Sequence, residues 1–162
     1  EPNQKNHSRG GRNTTKNELL TYARAVKHLR NLDAQIRGYE DAELYSANNR
    51  VPTPLPYDHG NAVSPDVLAG RVQKRDEMQK RKEALEAEAE EGVRRVLSAC
   101  HVLNLFEIEF AKLRYIGKKK GDFPYPQPIE DFFVLAKMLG ISRRKCFIVQ
   151  RTILEKIAEI QV

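Results

Sequence analysis

The sequence predicts an all-α protein, a long antiparallel helical pair followed by a helix-turn-helix domain, and three observations carry that expectation. Apolar residues recur at intervals of three and four along most of the chain, and no segment reads as a convincing strand. The charged fraction is 31% and the aromatic fraction 7%, as suits helices with long solvated faces. Proline gathers in two connections, 46–63 and 118–128, and leaves the periodic segments on either side without a break.

Residues 1–14 are polar and aperiodic and read as a disordered tail. Thr15 and Glu18 have capping-box spacing and are expected to open the first helix. Leu19, Tyr22, Val26, Leu29, Ile36 and Tyr39 then recur at helical spacing to about residue 45. Ser46 to Val63 holds three prolines, three asparagines and a glycine, a long connection without regular structure. Its Asp58-His59-Gly60 reads as a turn, because one His and one Asp fall short of a metal ligand set. Ser64 is placed to cap the next helix and Pro65 to take its first position. Met78, Lys82, Leu85, Ala89, Gly92, Val96, Ala99 and Leu103 trace that helix's seam, and the small residues at 89, 92 and 99 admit a partner helix closely. The first helix, folded back to make a hairpin over 15–103, is the natural partner. A second copy of the chain, giving a homodimer through the helical pair, is the alternative.

The second domain is expected over 104–162. A shorter helix from Leu103 to Gly117 carries Phe106, Phe110 and Leu113 on one side, and a Pro/Gly loop spans Lys118 to Pro128. Two helices follow between Ile129 and Ile160, joined at Leu139-Gly140-Ile141-Ser142. Charge is divided unevenly along the chain. Residues 1–110 hold 17 basic and 17 acidic residues, whereas 111–162 hold 11 basic and 5 acidic, so the whole net charge of +6 lies in the last third. A concentrated excess of this kind marks a surface that meets a polyanion.

A DNA-binding helix-turn-helix needs a small residue where its helices pack, a tight turn that favours Gly, and a second helix apolar on its inner face only. Leu135, Ala136 and Leu139 supply the first inner face, Gly140 the turn, and Ile141 the packing beneath it, while Ser142 caps the second helix. Cys146, Val149, Ile153, Ile157 and Ile160 are expected to form the buried stripe. At about 100° per residue the opposite face holds Arg144, Ile148, Arg151, Glu155 and Glu159, basic first and acidic later. In such motifs the N-terminal half of the second helix enters the major groove, where cations belong. Arg144, Ile148 and Arg151 are therefore candidates to face bases. Ser142, Arg143, Lys145 and the Lys118-Lys119-Lys120 cluster are candidates to hold phosphates. Phe147 sits at the edge of that face, where a polar residue is expected. It either packs under the preceding loop or meets another protein.

The stretches "FEIEFAKLRYI" and "VLAKMLGISRRKCFIVQRTILEKI" resemble the fourth region of bacterial sigma factors. There a helix ending in a Leu-Arg-Tyr-like run precedes a helix-turn-helix with an "IA..LG.S" core and an "AL..L" tail. The likeness covers about residues 103–160. The wider order of elements is similar to that of the RinA/ArpU group of phage late-gene transcriptional regulators. This resemblance implies a sigma-like helix-turn-helix, promoter-DNA binding and transcription control of phage late genes in the host bacterial cytoplasm, with RNA polymerase as a candidate second partner. Two departures stand out: the loop between Tyr115 and Ile129 is longer and richer in proline than a sigma factor's, and Phe147 and Ile148 make the second helix unusually apolar.

Other function classes fit less well. His7, His28, His59 and His101 are scattered, and no phosphate-binding loop, dinucleotide fingerprint or nucleophile elbow is present, so no enzyme, cofactor or metal is expected. Glu130 and Asp131 are explained by a helix start. No membrane span is read, and Cys100 and Cys146 are expected as buried free thiols in a reducing cytoplasm. A phage terminase small subunit, which places its DNA-binding part first, and a helical protein-interaction module remain the alternatives.

Overall fold

The computed structural model describes residues 15–48 and 65–160, and over them the protein is all-α. A short helical segment at 15–19 leads through a turn at Leu20 into α1 (Thr21–Asn48). Then come α2 (Pro65–Ala99), a 3-10 turn (Cys100–Val102), α3 (Leu105–Tyr115), α4 (Phe132–Leu139) and α5 (Arg143–Ile160). Among the described residues there is no strand, only one isolated antiparallel bridge between Lys118 and Gln127. Residues 1–14, the proposed cap Ser64, and the Asp58-His59-Gly60 turn lie outside the described residues. Thr15 is already helical, so it is not the residue that precedes the first helix, as its spacing to Glu18 indicates it should be.

The chain divides into two compact units, one made of residues up to Lys27 together with Glu86 onward, the other of His28–Leu85. In the smaller unit Leu29 and Leu32 are buried, and Lys74 Nζ lies 5.8 Å from the centre of the Tyr39 ring. Asp33 and Arg37 form an exposed i,i+4 pair at 3.2 Å, of a kind that contributes a few tenths of a kcal/mol, about 0.3–0.5.

In the larger unit, residues 15–27 run antiparallel to the end of α2. Tyr22 meets Gly92, and one step further Arg95 Nη1 donates to Thr21 Oγ1 at 3.2 Å. The approach is close because residue 92 has no side chain: a Cβ there would lie 2.4 Å from the Tyr22 backbone nitrogen. Leu19 and Val96 join one core with Phe110, Leu135, Cys146 and Ile153. Burial of this apolar surface is the main force holding the helices together.

Local signals set the ends of the last three helices. Asn104 and Glu107 form a reciprocal capping box at the start of α3, with Glu107 N donating to Asn104 Oδ1 at 2.8 Å and Asn104 N to Glu107 Oε1 at 3.2 Å. Asp131 caps α4 by accepting from Phe133 N at 2.8 Å. Gly140 ends α4 in the left-handed conformation (φ 67°, ψ 32°), and Ile141 N returns to Ala136 O at 3.1 Å. Two residues later Ser142 Oγ accepts from Lys145 N at 3.1 Å and opens α5.

The loop from Lys118 to Pro128 is more ordered than its Pro/Gly content indicates. Lys118 and Gln127 exchange backbone hydrogen bonds at 3.2 and 2.9 Å, and Tyr22 Oη donates to Pro126 O at 2.7 Å.

Candidate nucleic-acid interface

Burial along α5 follows the helical period. Cys146, Ile153, Leu154 and Ile157 are buried and Val149 is half-buried. Ile160 departs from the expected stripe: it is 56% exposed, whereas Leu154, outside that stripe, is buried. Leu154 directly follows Ile153, about 100° round the helix, and this second row is buried because α5 contacts both α3 and α4.

Arg144, Phe147, Ile148 and Arg151 all lie on the exposed side of α5, within an arc of roughly 100° at the helical turn angle. Arg143 and Lys145 flank that arc, and Ser142 stands before it, all three exposed. Among the described residues Arg143, Arg144 and Arg151 make no ion pair. Glu155 and Glu159 continue the same exposed side one and two turns later. The polarity along the helix therefore lies on the solvent face: cations over its first half and carboxylates over its second.

Lys145 leans back towards α3, with Nζ 6.0 Å from the Phe106 ring centre. The Lys118-Lys119-Lys120 cluster is exposed at the mouth of the pinned loop. Lys118 lines a shallow groove with Lys112, Leu113 and Met138, to which α5 contributes nothing. Six of the nine expected contact residues thus lie at Ser142 and along the first half of α5, and the three lysines are exposed in the loop before α4.

Two cations counted in the basic excess serve the fold. Arg114 donates to Ile129 O at 2.9 Å and to Glu130 O, and its guanidinium carbon lies 4.5 Å from the Phe132 ring centre. Burial lowers its pKa, offset by Tyr115 and Glu130. Lys156 pairs with Glu107 at 2.5 Å. Neither role was visible in sequence, because each partner is set by tertiary packing. Phe147 is resolved as well: its ring stands edge-on to Phe132, with centroids 4.5 Å apart at 88°, yet it stays 52% exposed.

Cys100 and Cys146 are free and buried, and burial pushes both thiols upward. Among the described residues no group of three or more His, Cys, Asp or Glu is placed to hold a metal ion. Among them too, no helix is long and apolar enough to cross a membrane. Comparison with models of known protein families, with curated proteins and with solved structures gave no match.

Proposed function

We propose that the chain is a sequence-specific double-stranded DNA-binding transcriptional regulator, acting through the first half of α5. The observation that carries the reading is the outward display of Arg143, Arg144, Lys145 and Arg151 while Cys146, Ile153 and Ile157 anchor the same helix in the core. An eight-residue helix, a left-handed Gly turn and a Ser-capped second helix precede that display in the order a helix-turn-helix requires. The sigma-like resemblance makes phage late-gene control in a bacterial cytoplasm the setting, with RNA polymerase as the second partner. On this reading Arg144, Ile148 and Arg151 meet base edges, while Ser142, Arg143, Lys145 and the Lys118-Lys119-Lys120 cluster meet phosphates.

A salt titration of duplex binding tests this. Phosphate neutralisation makes log affinity fall linearly with log salt, by about 0.9 per phosphate contact. Affinity that does not change with salt would remove the basis of the proposal.

A further inference from the structure

We infer that Phe147 and Ile148 form an apolar reader of thymine 5-methyl groups, so that the duplex this protein selects carries thymine beside the base pair met by its arginines. The inference rests on the DNA-binding reading and deepens it. The two residues are 52% and 54% exposed, adjacent in sequence, and flanked by Arg144 and Arg151 on one face of α5.

Scattered exposed apolar residues are ordinary on protein surfaces. This pair differs because of its surroundings. An apolar protein partner docking here would desolvate Arg143, Arg144 and Arg151, which make no ion pair among the described residues. A DNA major groove resolves that conflict. Its phosphates accept the cations, and the thymine methyl is the apolar group that base edges present there.

The pair is also held in place before any ligand arrives. The Phe147 ring rests edge-on against Phe132, and Phe132 lies under the Arg114 guanidinium, which is itself fixed to Ile129 O. Ile148 is β-branched and keeps essentially one χ1 rotamer on a helix. Little side-chain freedom is left to lose on binding. Successive residues on a helix diverge by about 100°, so the two side chains splay to either side of the line joining Arg144 and Arg151. Thymines are expected on both flanks of the arginine-read pair.

The probe is the duplex enriched from a random pool by the full chain, with each thymine replaced in turn by deoxyuridine, which removes the methyl and keeps the pairing. One methyl of apolar contact corresponds to about a fourfold change in affinity. We expect that loss at one or two thymines, and expect it to vanish in Phe147→Ala or Ile148→Ala at the matching position. Ile148→Ala serves as the second variant in case loss of the Phe132 contact disturbs the fold. Binding that persists with no methyl effect, an enriched site without thymine, or variants that weaken thymine and uracil duplexes equally would overturn the inference while leaving DNA binding intact. No enrichment of any duplex would overturn the underlying DNA-binding proposal instead.

Discussion

Lys156 Nζ lies 2.5 Å from Glu107 Oε1, and this pair ties the second half of α5 to the first turn of α3. Glu107 is 4% exposed, its Oε1 also accepts from Asn104 N, and its Oε2 has no partner among the described residues. A carboxylate so placed depends on Lys156 for charge compensation. Lys156→Ala is expected to destabilise the protein by about 2 kcal/mol, as removal of one partner leaves the other buried and unpaired. The double replacement Glu107→Leu with Lys156→Met should recover most of that loss, less the lost cap. Urea unfolding of the three proteins checks both statements.

Tyr22 and Tyr115 should respond oppositely to removal of the hydroxyl. Tyr22 Oη donates to Pro126 O at 2.7 Å, whereas Tyr115 Oη is buried without a partner among the described residues. Tyr22→Phe is expected to cost about 1 kcal/mol, and Tyr115→Phe to be neutral or slightly stabilising. Thermal melts at neutral pH distinguish the two.

The same tyrosines set an alkaline limit. Burial raises both hydroxyls from 10.0 to about 12, with the Tyr125 charge adding to the effect at Tyr22 and Arg114 opposing it at Tyr115. The folded state holds these protons more tightly than the unfolded chain does. Ionisation of these hydroxyls therefore favours the unfolded chain, leaving stability untouched below pH 10 and lowering it as pH rises towards 12. Tyr115→Phe should flatten that decline in a series of denaturant midpoints from pH 8 upward, a range taken to start about two units below the free phenol value.

Gly92 tests the antiparallel packing in the larger unit. A Cβ at that position would lie 2.4 Å from Tyr22 N and 2.6 Å from Tyr22 Cα, backbone atoms that cannot yield as a flexible side chain does. Gly92→Ala is expected to destabilise by about 1–3 kcal/mol through overpacking, despite the gain in helix propensity. Gly70→Ala, on the same helix with nothing within 4 Å of its added carbon, should stabilise instead.

Much of the region from Asn104 onward was legible because its signals are local. The spacing of Cys146, Ile153 and Ile157, the Gly140 turn and the Ser142 cap each act within one or two turns of helix, and the structure places them as the sequence indicates. What was not legible depends on distant partners. Glu107 reads as a surface acid until Lys156 arrives 49 residues later, and the Pro/Gly loop reads as slack until Tyr22 reaches it across 104 residues. Ile160 was expected in the buried stripe, but the periodicity of a helix does not reveal where its neighbours end. In the candidate interface, the direction of Arg144 and Arg151 followed from the wheel, while the support of Phe147 by Phe132 required the fold.

Arg144 and Lys119 are both exposed, but they are expected to fail differently. Arg144→Ala should cost about 1–3 kcal/mol on the preferred duplex and relax one base position. Lys119→Ala should weaken all duplexes alike and reduce the salt slope by about 0.9. Anisotropy titrations on preferred and scrambled duplexes at several salt concentrations separate base contact from backbone contact.

Whether the cations at the start of α5 face a specific duplex is decided by selection from a random pool of double-stranded DNA with the full chain. One short motif is expected to be enriched, and one of its positions to be lost when the selection is repeated with Arg144→Ala. A pool that stays random after successive rounds with the folded protein would contradict that expectation.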